Sequence, residues 1–159
     1  MKCFAKLALA AFCSLSVISV ALAQDAPASP EEQAQQAAEL RQSVFKLMGW
    51  SMGPLAAMLR NRMPFDAAVA QKSAGRIEQL APMISDVFQQ DTRKFKVKTK
   101  AREGIWTNKS DFDAKAQELL KAANALVAAA KTGEKGATLK AAGAVGKACG
   151  SCHDDYRDE

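Results

Sequence analysis

Histidine occurs once in the 159 residues. Any metal centre that needs two or more imidazoles from one chain is therefore excluded. Aromatic residues are few, at 6%. Val, Ile and Thr are sparse while Ala, Leu, Lys, Gln and Glu are frequent, a balance that favours helix and argues against a sandwich or barrel. Nine Gly and five Pro are too few for a low-complexity chain. Beyond residue 23 no segment is apolar enough to span a bilayer.

The first 23 residues stand apart. Lys2 and Lys6 form a positive start, Leu7 to Val20 is mostly apolar, and Ala21-Leu22-Ala23 fits the small-x-small cleavage rule. This reads as a secretory signal peptide over 1–23, cut before Gln24, and implies a periplasmic location for one domain, 24–159. The formal charge of +5 loses two lysines and no acid with that segment and becomes +3, too mild to point to a nucleic-acid partner for an exported chain. After cleavage no membrane span is expected. Cys3 and Cys13 leave as well, so the mature chain keeps only Cys149 and Cys152. An exported protein can hold disulfides, but a pair this close closes almost no loop and would stabilise little.

Along the chain, Ser29-Pro30-Glu31-Glu32 is a helix start, with Ser as N-cap, Pro at the first helical position and Glu at the third. The helix it opens carries Leu40, Val44, Leu47, Met48, Leu55, Met58 and Leu59 at helical spacing, widened by Phe45 and Met52. So wide a stripe can serve both a core and a second contact surface. Gly49, Gly53 and Pro54 predict a kink or break. Asp66 caps a second helix that Pro82 ends, and a short apolar piece, 83–88, follows. Residues 89–109 read as a long solvated connection. Its Lys-Phe-Lys-Val-Lys-Thr-Lys alternation imitates a strand that has nothing to pair with, and its basic run, Arg93 to Arg102, is an exposed face or a dock for an acidic redox partner. Ser110 and Asp113 form a second capping-box pattern before a third helix, which Gly133 stops. A fourth runs from about Glu134 to Tyr156 with Ala142, Val145, Cys149, Cys152, His153 and Tyr156 inward. Four amphipathic helices with mostly short connections predict an all-α, antiparallel four-helix bundle.

Cys149-Gly150-Ser151-Cys152-His153 is the C-x-x-C-H pattern of covalent c-type haem attachment. On a helix these positions are i, i+3 and i+4, so both thiols and the imidazole share one face. Each thiol can add across a haem vinyl group, and His153 can give its imidazole to the iron from the proximal side. A structural zinc site would need a fourth ligand such as Asp154, an unusual set. A thioredoxin-like pair should open a helix after a strand, and no strand-helix-strand pattern is present. The pattern therefore predicts one haem c on the last helix. Gly143, Gly146 and Gly150 cost helix stability and either clear space for the macrocycle or let the helix pack closely. The second axial position cannot be a histidine of the same chain. It is a methionine, with Met48, Met52, Met58, Met63 and Met83 available in the mature chain, or it is open.

The C-terminal C-x-x-C-H followed by Asp154-Asp155-Tyr156-Arg157, the Arg41-Gln42-Ser43-Val44-Phe45-Lys46-Leu47-Met48 segment of the first helix, and Ile105-Trp106 before the third helix resemble the cytochromes c prime, the class II cytochromes c. The resemblance covers essentially all of 24–159. It implies that Arg41 and Gln42 meet the haem propionates, with Thr92 near one of them. Phe45 then stands at the distal position over the iron, where a low-spin relative has a ligating Met, and Arg157 is the basic residue near the proximal face. Phe cannot ligate, so the resemblance implies a five-coordinate, high-spin iron, electron transfer, binding of nitric oxide or carbon monoxide, and a homodimer through the first two helices. Phe45 offers no hydrogen bond to bound dioxygen, which argues against an oxygen carrier. No acid–base set suggests an enzyme, and the redox partner is not specified. Arg41, Phe45, Met48 and Met52 lie along one helix face, so Met48 or Met52 could be the ligand of a low-spin, His/Met electron carrier of the same fold.

Overall fold

The computed structural model describes residues 27–159, so the signal-peptide reading of 1–23 lies outside the described residues. Six helices follow in order: α1 (Pro30–Leu59), α2 (Ala67–Leu80), α3 (Met83–Val87), α4 (Gly104–Thr107), α5 (Lys109–Lys131) and α6 (Lys135–Tyr156). The four long ones, α1, α2, α5 and α6, form a four-helix bundle. Each packs on two of the others, α1 on α2 and α6, and α5 on α2 and α6. Among the described residues the single β feature is an isolated antiparallel bridge between Ala101 and Arg157.

The helix starts follow from local chemistry. The backbone N–H of Glu32 donates to Ser29 Oγ (3.2 Å) and that of Ser29 to Glu32 Oε2 (2.7 Å), the reciprocal capping box. Asp66 accepts from the Val69 N–H (3.0 Å) and opens α2. The Ser110–Asp113 box does not form. Short α4 abuts the next helix directly, so Asn108 takes the cap position, α5 begins at Lys109, and Ser110 lies inside the first turn. Lys109 instead pairs with Asp113 one turn on (2.5 Å). Gly133 ends the α5 turn with φ of 73°, a left-handed conformation that side chains resist.

Of the kink or break expected in α1, the break is absent. No break occurs at Gly49, Gly53 or Pro54, and the helix is continuous through Pro54. The proline removes one rung of the ladder. Leu55 and Met58, immediately beyond it, are 0% and 2% exposed, and their burial holds the last turns on the core. The wide apolar stripe divides. Val44, Met48, Leu55 and Met58 enter the core, whereas Leu40, Leu47, Trp50 and Leu59 remain exposed. The core continues through Ala74 and Ile77 of α2, Phe112, Leu119 and Leu126 of α5, and Ala142, Val145 and Tyr156 of α6.

The stretch between α3 and α4 is irregular as expected, yet it is not simply solvated. Gln42 Nε2 donates to the Lys98 carbonyl (2.8 Å), tying it to α1. The Asp158 N–H donates to the Lys100 carbonyl (2.9 Å), and Arg102 reaches the Asp154 carbonyl (2.7 Å) and the Asp158 carboxylate (3.0 Å), tying it to the end of α6. The stretch is thus a strap from α1 to the C-terminus.

Candidate functional site

At one end of the bundle, α1, α5, α6 and the strap enclose a cavity of about 930 Å³. That is within the range of cofactor sites, roughly 300–1,000 Å³. Cys149, Cys152 and His153 form one wall from α6, and Phe45, Met48 and Met52 face them from α1. The far end is apolar, built from Ile84, Phe88, Ile105, Phe112 and Leu119. The exposed charges of the lining are mixed, with Lys46 of α1, Lys98 and Lys100 of the strap and Arg157 after α6 beside Asp158 and Glu159. Helix geometry accounts for the α6 wall, since i, i+3 and i+4 fall on one face.

Both cysteines are free thiols and half-buried. Burial pushes the Cys149 thiol above its ordinary value and the Cys152 thiol up to about 11. The wall thus presents neutral sulfurs to an apolar space. Burial first, then the charge of Arg157, lowers the His153 pKa, which favours the neutral imidazole that a metal requires. Among the described residues no group of three or more His, Cys, Asp or Glu side chains is arranged to hold a metal ion, so the Cys149, Cys152, His153, Asp154 zinc set is not assembled. An apolar chamber with two thiols and an imidazole on one wall and cations in its lining instead suits a flat, apolar macrocycle with carboxylates on one edge. Haem c fits these residues.

Nine of the ten residues singled out from sequence line this cavity: Arg41, Gln42, Phe45, Met48, Met52, Cys149, Cys152, His153 and Arg157. Thr92 does not. It is 2% exposed, and its hydroxyl accepts from Arg41 Nη1 (2.9 Å), so it positions the arginine. Arg41 is itself deeply buried. Its Nε donates to the Val87 carbonyl (2.9 Å) and its Nη2 to the Gln90 carbonyl (2.5 Å). Its guanidinium lies 4.8 Å from the Phe88 ring centroid and 5.1 Å from that of Trp106. Three of the five N–H donors of a guanidinium are thereby used within the chain. The Trp106 indole N–H is buried with no partner.

Lys115 of the cavity went unread in the sequence, and Tyr156 was read as an inward position without its partner. Lys115 of α5 donates to Ser151 Oγ (3.2 Å), inside the C-x-x-C-H turn, and pairs with Asp155 (3.0 Å), pinning that turn to α5. Tyr156 Oη donates to Asp111 Oδ2 (2.6 Å) while its ring meets Phe112 edge-on at 5.4 Å. Lys98 to Ala101 supply the outer wall. Their alternating pattern was the available signal, and only the tertiary ties to α1 and α6 show what it does. The three α6 glycines do not line the cavity. A Cβ on Gly146 would meet the Met52 methyl at 3.9 Å, while Gly143 and Gly150 face open space.

Fold and site together define a four-helix haem-c protein whose attachment motif lies on the last helix. Its relatives give the family. The "Cytochrome C'" family profile matches residues 36–157, and the chain belongs to this family. Cytochrome c' of Cereibacter sphaeroides is 39% identical over 126 residues, spanning 78% of this chain and 84% of that protein. The solved cytochrome c prime of Shewanella frigidimarina superposes with a TM-score of 0.75 at 34% identity, over 80% of this chain and 98% of that one. A nitric oxide complex of a mutant cytochrome c prime from Alcaligenes xylosoxidans superposes with a TM-score of 0.71 at 28% identity, over 79% and 97%. The family's cofactor is haem c bound covalently through cysteines, and Cys149 and Cys152 are the cysteines that match.

Proposed function

We propose that this chain is a periplasmic, non-enzymatic cytochrome whose haem iron is five-coordinate and high-spin, with His153 as its one protein ligand, serving electron transfer and binding of nitric oxide or carbon monoxide. The observation that carries this reading is the α1 wall of the cavity that His153 also lines. Phe45 lines it from α1 and has no atom able to ligate or to donate a hydrogen bond. When bound, the haem supplies reversible one-electron chemistry and an open coordination position for a small gas. Phe45 keeps that position apolar, which favours weakly polar diatomics over dioxygen. Phe88 packs behind Phe45 at 6.1 Å between centroids and braces it. Arg41 and Gln42 reach the cavity from the same helix, with Lys46 between them and the mouth, and together they supply the positive side for the propionates. Arg157, which lines the cavity with His153, is the basic residue of the proximal side.

Location and assembly belong to the same reading. The 1–23 signal implies export, and among the described residues no helix is long and apolar enough to cross a membrane. The exposed Leu40, Leu47 and Trp50 support a homodimer through α1 and α2.

The test is the optical spectrum of the mature holoprotein, oxidised and reduced, with and without carbon monoxide. A broad high-spin reduced Soret band that sharpens with carbon monoxide is expected. A sharp low-spin spectrum, unmoved by carbon monoxide, would overturn the open site. It would assign the sixth position to Met48 or Met52, both of which line the cavity, and leave electron transfer alone as the role.

A further inference from the structure

We infer that the strap between α3 and α4 is the docking surface for an acidic, one-electron-carrying protein, seated on Lys94, Lys96, Lys98 and Lys100. This inference rests on the reading of the chain as an electron-transfer cytochrome and names the class of its partner.

The four lysines alternate along the strap and all are exposed, while Phe95 and Val97 between them are half-buried. Charge is thereby sorted to the outer side and apolar surface to the inner. The neighbouring arginines are already matched, Arg93 to Asp91 (2.6 Å) and Arg102 to Asp158 (3.0 Å). None of the four lysines takes part in an ion pair among the described residues. Four uncompensated cations within seven residues create a field that steers anionic surfaces. Lys46, exposed on α1, extends the patch across the cavity mouth. Asp158 and Glu159 line the same cavity, and exposed Asp154 and Asp155 stand on the last turn of α6, so the basic patch ends at the C-terminus, which gives it an edge and so an orientation.

Position turns a charge run into a functional surface. Lys98 and Lys100 line the cavity, and their carbonyls accept from Gln42 of α1 and from the Asp158 N–H after α6, which fixes this part of the strap on both sides. A protein seated on the lysines is held beside the cavity that Lys98 and Lys100 line. In the exchange the partner's centre is oxidised by one electron as the haem iron is reduced, and no bond is made or broken. A membrane is the poorer occupant. The exposed large apolar side chains lie on α1 and at Met83, none on the strap, and Phe45 alone among them lines the cavity beside the lysines, too little apolar surface to enter a lipid interface.

The experiment uses the full holoprotein, its covalent haem first verified by the pyridine haemochrome spectrum; absence of that haem would sink the cytochrome reading itself. Reduction of the ferric protein by acidic flavodoxin hydroquinone is followed by stopped flow at low and high ionic strength. The second-order rate should fall by about tenfold or more as salt rises. In the charge-reversal variant Lys94→Glu/Lys96→Glu, at positions outside the cavity, the low-salt rate should fall by a similar factor and its salt dependence should largely vanish. Reduction by hexaammineruthenium(II), a cation, should be unchanged or faster in that variant. The milder Lys94→Gln/Lys96→Gln should lie between the two, which separates charge from misfolding. A variant rate and salt slope equal to those of the parent would overturn the proposal. So would lysine-dependent binding to phosphatidylglycerol vesicles with no effect on the flavodoxin rate.

Discussion

Arg41 shows how one side chain can belong to a site and to the fold at once. Its guanidinium is 2% exposed, and burial lowers its pKa, with Asp91 partly opposing. Two carbonyls, one hydroxyl and two aromatic faces hold it in place of a contacting carboxylate. Replacing it with Met leaves Val87 O, Gln90 O and Thr92 Oγ1 without a donor. Only Thr92 is buried, whereas Val87 is half-buried and Gln90 exposed, so at about 1–3 kcal/mol for one orphaned buried acceptor Arg41→Met should destabilise by roughly 2 kcal/mol, against about 1 for Thr92→Val. Guanidinium unfolding of the holoprotein measures both. A cost below about 1 kcal/mol for Arg41→Met would place its role with the cofactor alone. Tyr156 gives a pH signature at the same scale. Burial first, then its bond to Asp111, raises the phenol from 10.0 to about 12. A raised folded pKa favours the protonated form, so the stability it contributes is complete below pH 10 and is lost as pH climbs toward about 12. The thermal midpoint of Tyr156→Phe should vary less than that of the parent across this window. The haem-attachment residues were legible at this scale because their spacing is the chemistry. The Arg41–Thr92 bond was not, since it joins residues 51 apart that only the folded strap brings together.

Local signals carried the helices as far as local chemistry decides them. The Ser29 box, the Asp66 cap and the Gly133 stop all stand where the sequence puts them. The break at Pro54 and the Ser110 box failed for one reason. Neighbouring structure, the buried Leu55 and Met58 in one case and abutting α4 in the other, outweighs a preference of order 1–3 kcal/mol. The glycines make this testable. Gly133, at φ 73°, is needed, and Gly133→Ala should cost about 1 kcal/mol. Gly143 lies in α6 with open space around its Cβ position, so Gly143→Ala should stabilise by roughly 0.5–1 kcal/mol. Chemical denaturation checks the two signs, and haem content per chain checks the second meaning. Normal haem loading in Gly143→Ala is expected, because Gly143 does not line the cavity. Impaired loading would return that glycine to the role of clearing space for the macrocycle.

For the whole molecule, α1 is the organising element because it presents three surfaces. Val44, Leu55 and Met58 enter the core, Phe45, Met48 and Met52 face the haem cavity, and Leu40, Leu47 and Trp50 point outward. The sequence showed the width of this stripe, but periodicity alone cannot assign its parts, since all three are apolar at helical spacing. The outward set is the part left uncovered among the described residues. Leu40, Leu47 and Trp50 are 55%, 52% and 61% exposed, and the Arg76 guanidinium of α2 lies 4.2 Å from the Trp50 ring centroid, so the patch joins α1 to α2. Contiguous exposed apolar surface of this kind marks an association site. Pairing two copies through it would bury the three side chains while leaving free the strap lysines, which lie on a separate element. Leu47→Glu/Trp50→Glu places two like charges on each side of such a twofold contact at positions that contribute little to the monomer core. Sedimentation velocity across a concentration series should show a dimer for the parent and a monomer for the variant, with the Soret spectrum and carbon monoxide response unchanged. A parent that stays monomeric throughout would remove the dimer and leave this ridge free. A variant that dissociates and also alters its spectrum would show that assembly and haem pocket are coupled through α1, the one helix that carries both surfaces.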